Sequence, residues 1–342
     1  MTTILKQLTA MQDKIEFSGT TLVKRNKEVV AERSNGYANR SEEIKNNNFT
    51  RFGIASGCKL FTAIAICQLV ERGKLSFDST LKECLNIPFP AFDESITIHH
   101  LLTHTSGIPD YFDEEIMEDF EELWVQNPMY RIRKLEDFLP LFQNHSMKLN
   151  VGDRFHYNNA GYIVLGLIVE QASRIPFTDY IQEHVFNKAG MKNSGYFEFD
   201  ALPPNTAIGY IDFPNRTWKT NIYSLPVKGG PDGGAYTTVQ DMDKLWDALV
   251  NGELLGKHYT QKLLTPYVYT EEDDSWYGYG VWIDKENEVI KKYHIMGYDP
   301  GVSFHSAYYP ETNYKVVVCS NKSEGAYDMM RVIEEGFTKD IS

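Results

Sequence analysis

Residues 59–72, KLFTAIAICQLVER, are apolar on nearly every side and stop at Gly73, a residue suited to the turn that closes a helix. So little polar surface predicts a central helix rather than a superficial one. Residues 16–37 carry a different pattern. Two β-rich runs flank the polar turn Lys24-Arg25-Asn26-Lys27, as in a hairpin. From 81 to 240, helical stretches alternate with loops punctuated by Pro and Gly. Helices are expected at 99–103, 118–125, 135–143 and 162–173, and another at 239–250, beyond a glycine-rich loop at 229–234. The last hundred residues turn β-rich, with strands expected at 277–283, 302–309 and 314–320 and a closing helix at 329–337.

Strands at both ends around a helical middle imply an α+β architecture. Residues 1–80 and 240–342 are expected to form one discontinuous domain, and 81–239 a mostly helical insert. A chain of 342 residues, 42% hydrophobic, can bury a large core.

Charge narrows the partners. Lys and Arg total 34 against 47 Asp and Glu, a net charge of -13 that repels phosphate backbones and anionic lipid. The longest strongly apolar stretch, 63–70, is too short to span a bilayer. Residues 1–14 contain no apolar signal-peptide core, and Cys58, Cys67, Cys84 and Cys319 lie far apart with no CxxC pair. Reduced thiols and a cytoplasmic location are the expectation.

Candidate chemistry begins at Ser56-Gly57-Cys58-Lys59, where an i, i+3 spacing puts a hydroxyl and an amine on one face at the start of the apolar helix. A helix N-terminus favours a developing oxyanion, and a hydroxyl needs a neighbouring base to become a nucleophile. Ser79-Thr80-Leu81-Lys82 has the same spacing but lies in a polar connection. A second element is Tyr157-Asn158-Asn159, just before an apolar helix. A phenol beside ammonium groups can have its pKa lowered enough to act as a base. Tyr37-Ala38-Asn39 repeats that pattern at the N-terminal hairpin. A third is His294-Ile295-Met296-Gly297, followed by the turn 298–301.

In order and spacing these three elements resemble the class C β-lactamase family, with its penicillin-binding-protein-like hydrolases, D-aminopeptidases and esterases. The segments 101–109 (LLTHTSGIP), 159–162 (NAGY) and 233–238 (GGAYTT) agree with the resemblance, which spans about residues 10 to 335. It implies a β-lactamase/transpeptidase-like fold: an antiparallel sheet flanked by helices, with the active site against the helical insert. Carried over by position, Ser56 would be the acyl-accepting nucleophile and Lys59 would share its proton. Tyr157 would be general base and then acid, and Asn159 would position Lys59 and the acyl group. The backbone N–H groups of Ser56 and Gly297 would form the oxyanion hole.

The third motif departs from the family's Lys-Thr-Gly. His294 and Ile295 lack the permanent cation and hydroxyl that grip a β-lactam carboxylate, and Met296 is expected to narrow the cleft or enter the core. The expected function is serine hydrolysis of a small ester, amide or β-lactam through a Ser56 acyl-enzyme. The alternative is a feebly catalytic protein of the same fold that binds or senses penicillin-like ligands. No cofactor is expected, and no metal, because His99, His100 and His104 lack carboxylate or Cys partners at ligand spacing. The glycines at 229–234 are expected to form a flexible rim of the cleft, and the acidic run 113–122 a solvated helical face. Cys58 is expected to be a half-buried thiol.

Overall fold

The computed structural model describes residues 3–271 and 274–339. Both ends of the chain enter one eight-stranded sheet. β1 (Gly19–Arg25) and β2 (Glu28–Asn35) form the expected hairpin. The remaining strands are β3 (Val268–Thr270), β4 (Ser275–Tyr277), β5 (Trp282–Glu286), β6 (Val289–Asp299), β7 (Val302–Tyr309) and β8 (Tyr314–Ser320). Their order is β2-β1-β8-β7-β6-β5-β4-β3, with every neighbouring pair antiparallel. Thr21 opposite Val318 and Val23 opposite Val316 join the first strand to the last.

The sheet is covered on both faces. Val316 and Val318 pack with Ile4 and Leu8 of helix α1 (Thr3–Lys14) and with Met329 and Ile333 of α5 (Ala326–Lys339). Val317 and Cys319, on the opposite face, join the main core with α2 (Lys59–Glu71), α3 (Asn159–Ser173) and α4 (Val239–Val250). Burial on both sides is why residues 316–319 read as one apolar run instead of alternating. Residues 60–67 of α2 are buried without interruption, as its missing polar face requires.

Three expectations change. The strand read at 277–283 is broken between β4 and β5, where Gly278 passes the carbonyls of Leu263 and Thr265 and Gly280 passes the apolar helix. A Cβ at Gly280 would stand 2.7 Å from the Lys59 carbonyl oxygen. The acidic run is not one helical face: residues 113–119 form irregular chain, followed by a short 3₁₀ turn at Phe120–Glu122 and a four-residue helix, Leu123–Gln126. The segment 135–141 is 3₁₀ rather than α, with Pro140, which has no amide hydrogen to donate, inside it. Among the described residues no helix is long and apolar enough to cross a membrane.

Candidate active site

Ser56 is positioned by a strand–turn–helix passage. Phe52–Gly53 pairs with Tyr236–Thr237, and the Ile54 amide donates to the Ala235 carbonyl at 3.0 Å. The chain then turns through Ala55, whose φ of 45° lies in the left-handed region that costs a side-chain-bearing residue energy. A 3₁₀ turn, Ala55–Cys58, leads directly into α2. The Ser56 side chain thereby reaches the cavity, while Cys58 is fully buried and donates to the Gly230 carbonyl at 3.4 Å. Burial pushes that thiol up to about 12, so it is a poor nucleophile.

Lys59 is 2% exposed and spends its three N–H bonds inside the site. Its Nζ donates to Ser56 Oγ at 3.0 Å, Asn159 Oδ1 at 2.8 Å and the Asp232 carbonyl at 2.8 Å. Asn159 opens α3, and its own amide and side-chain nitrogen donate to the Asp110 carboxylate at 2.7 and 3.3 Å. Burial raises Asp110 to about 7 despite those bonds. The Lys59 ammonium also lies 4.8 Å from the centre of the Tyr157 ring.

The proton state of Tyr157 runs against the expectation. Burial pushes its phenol well above the ordinary value, the Glu114 carboxylate adds to the rise, and a hydrogen bond to Ser56 opposes it. Burial and the Glu114 and Asp232 carboxylates raise the phenol even though the Lys59 ammonium faces its ring. The His104 ring packs against Tyr157, tilted by 35° with 4.5 Å between ring centres. Its Nδ1 accepts from the Asn158 amide at 3.0 Å, so Nε2 carries the hydrogen and faces the Tyr277 hydroxyl at 3.3 Å. Burial and the nearby Lys59 hold His104 well below its ordinary pKa, hence neutral.

The third element divides. Gly297 abuts the Ser56 turn, where a Cβ would meet the Ile54 oxygen at 2.2 Å and the Ser56 nitrogen at 2.7 Å. Side chains alternate along β6, so His294 and Met296 belong to the other face. His294 Nε2 lies 3.1 Å from Asp284 Oδ1, and neither His294 nor Met296 lines the cavity. The strand comes closest to the Ser56 turn at Gly297, while Met296, half-buried on the other face, neither lines the cavity nor enters the core.

Several residues had no motif to announce them. The glycine-rich loop does border the cleft, but it is tied down rather than loose. Thr62 Oγ1 donates to the Pro231 carbonyl at 2.6 Å, and the Tyr111 hydroxyl hydrogen-bonds the Asp232 carboxylate. Burial raises Asp232, with Lys59 and the Tyr111 bond pulling it back. Asp299 stands two residues beyond Gly297 on the same side of β6 and lines the cavity, as Glu114 does. The cavity opens to solvent, and the rings of Phe112, Phe120, Phe138, Phe197, Phe199 and Tyr236 wall it.

Elsewhere, the duplicate motifs are dispersed. Ser79 Oγ accepts from the Ser76 amide, Lys82 pairs with Glu94 at 3.2 Å, and Tyr37 carries Lys45 over its ring. The three histidines weighed as metal ligands are engaged separately, His99 with Tyr279 and His100 with Thr97. Asp113, Glu115 and His156 do converge, but Lys148 and Arg154 already neutralise them, at 2.9 and 2.7 Å from Glu115.

A family model described as Beta-lactamase matches residues 9–334. The chain is 30% identical to PbpX of Bacillus subtilis (strain 168), over 91% of this chain and 72% of that protein. A crystal structure of a penicillin binding protein from Bacillus halodurans shares 61% identity with a TM-score of 0.92, covering 96% of this chain and 99% of that one. D-amino acid amidase from Ochrobactrum anthropi has the same fold at 18% identity and a TM-score of 0.83, over 99% of both chains.

Proposed function

The chain belongs to the β-lactamase family, and from that premise we propose that it is a serine hydrolase of small esters or amides acting through a Ser56 acyl-enzyme. The observation that carries the proposal is the bridge from Lys59 Nζ to both Ser56 Oγ and Asn159 Oδ1 at the wall of a solvent-open cavity. It supports a hydroxyl and an ammonium held ready without substrate.

Ser56, Lys59 and Tyr157 pass protons as one hydrogen-bonded set. Loss of one proton from the set creates the base. That base takes the Ser56 Oγ proton as Oγ attacks the acyl carbon, and then returns it to the leaving nitrogen or oxygen. The developing oxyanion lies between the Ser56 amide, at the head of the helical turn, and the β6 backbone at Gly297. Water, activated by the same base, releases the acid. Asn159 keeps the ammonium pointed at Ser56. His294, held on Asp284 on the other face of β6, would act on substrate only through the strand.

The raised phenol and the fully donating Lys59 favour one further reading, a protein that acylates and deacylates slowly and serves as a ligand binder. Turnover of neutral aryl esters separates the two. Steady hydrolysis by the wild type and its abolition in Ser56→Ala support the hydrolase. A single burst without turnover supports the binder, and undiminished hydrolysis by Ser56→Ala would overturn both.

A further inference from the structure

We propose that His104 is the positioning residue of Tyr157, clasping the chain on both sides of the phenol so that its hydroxyl stays with Ser56 before substrate arrives. This rests on the reading of Tyr157 as a member of the proton-passing set and adds the residue that fixes its place. Tyr157 lies on irregular chain, 155–158, immediately ahead of α3, where neither helix nor strand holds it. One distant residue holds both of its neighbours instead. The His156 amide donates to the His104 carbonyl at 2.8 Å, and the Asn158 amide donates to His104 Nδ1 at 3.0 Å. Amide hydrogen bonds are directional, so two of them flanking one residue leave its backbone little freedom to turn the side chain away. The imidazole then packs against the phenol ring itself.

His104 is fixed in its turn. It is 1% exposed, and its Nε2 faces the Tyr277 hydroxyl. Its φ of 57° lies in the left-handed region, which a side-chain-bearing residue keeps only where its surroundings impose it. In that turn both its carbonyl and its ring meet residues 156–158. Burial and the Lys59 charge keep the ring neutral, which leaves Nδ1 free to accept. The loop around it grips the same segment at other points: the Gly152 amide donates to the Thr105 carbonyl at 2.8 Å, and Asn158 Nδ2 to the Ile108 carbonyl at 2.8 Å. Loss of the imidazole alone therefore loosens Tyr157 without detaching the loop.

A double-mutant cycle on ester hydrolysis by the whole protein tests this, because a residue acting through the phenol loses its effect once the phenol is gone. His104→Ala is expected to lower kcat by about thirtyfold with KM within about threefold, and to cost less than about threefold further in the Tyr157→Phe background. His104→Asn tolerates left-handed backbone and offers an oxygen near the place of Nδ1, so it should recover most of the rate. His104→Gln, whose amide lies beyond that place, is the second impaired variant should alanine fail to fold. Hydrogen exchange over 155–158 should quicken severalfold in His104→Ala and stay as in the wild type in His104→Asn. Equal losses in the two backgrounds, an unimpaired His104→Ala, or unchanged exchange would overturn the proposal. If Tyr157→Phe alone hydrolyses at the wild-type rate, the reading of Tyr157 falls, while quickened exchange confined to 155–158 still upholds the clasp.

Discussion

Gly297 lies so near Ser56 that a Cβ added to it would stand 2.7 Å from the Ser56 backbone nitrogen. Only a residue without a side chain lets β6 reach the turn that carries the nucleophile. Gly297→Ala is expected to push strand and turn apart, costing about 1–3 kcal/mol of stability and roughly a hundredfold in ester hydrolysis. Met296→Ala, one residue earlier on the opposite face, should keep turnover within about threefold. Denaturant unfolding and kcat/KM on both variants check this, and the reverse ranking would contradict it.

Lys59 supports the fold as well as the chemistry. In Lys59→Ala the Asn159 side-chain oxygen and the Asp232 carbonyl both lose a buried donor. Hydrolysis is expected to fall by about a thousandfold, and stability by about 1–3 kcal/mol. Melting curves alongside rates reveal both effects; full stability with lost activity would mean that the bridge is not structural.

The raised phenol of Tyr157 shifts the pH profile of the Ser56–Lys59–Tyr157 set upward. Because the base forms by proton loss from a group that holds its proton tightly, kcat/KM for a neutral ester should climb from about pH 7 to about pH 10. Tyr157→Phe should lower the rate by about a hundredfold and flatten the climb. A wild-type profile level across that range would contradict the assignment.

Asp299 leaves a signature in stability. Its carboxyl titrates near 8 in the folded chain against 3.8 for an ordinary aspartate, so the native state holds that proton where the unfolded state has lost it. Its contribution is full below the ordinary value and is lost as pH rises towards 8. Asparagine suffers no such loss. Asp299→Asn should therefore gain stability relative to wild type as pH increases from about 4 to about 8. Urea melts at several pH values measure the difference, and a constant gap between the two proteins would contradict it.

Features written locally were legible in the chain. The Ser56–Lys59 pair follows from three-residue spacing on a helix. The helix expected at 239–250 is present as Val239–Val250, capped by the Thr238 hydroxyl, which accepts from the Asp241 amide. What escaped were contacts between residues far apart in sequence. Tyr111 and Asp232 are 121 positions apart, so no motif marks their hydrogen bond. The loop at 229–234 looks loose by composition, yet Thr62 and Lys59 of α2 hold it. The proton state of Tyr157 lies outside its motif for the same reason: burial raises the phenol, and the Glu114 and Asp232 charges that add to the rise come from other segments. Met296 and Gly297 were separable only once the face of β6 was known.

Acylation of one particular hydroxyl is the claim on which the rest depends. Incubation with a fluorophosphonate, followed by intact mass and peptide mapping, tests it directly. One covalent adduct on the peptide containing Ser56, absent from Ser56→Ala and unaffected by Ser79→Ala, is the predicted result. An adduct on Ser79, or an unmodified protein after prolonged exposure, would contradict the account.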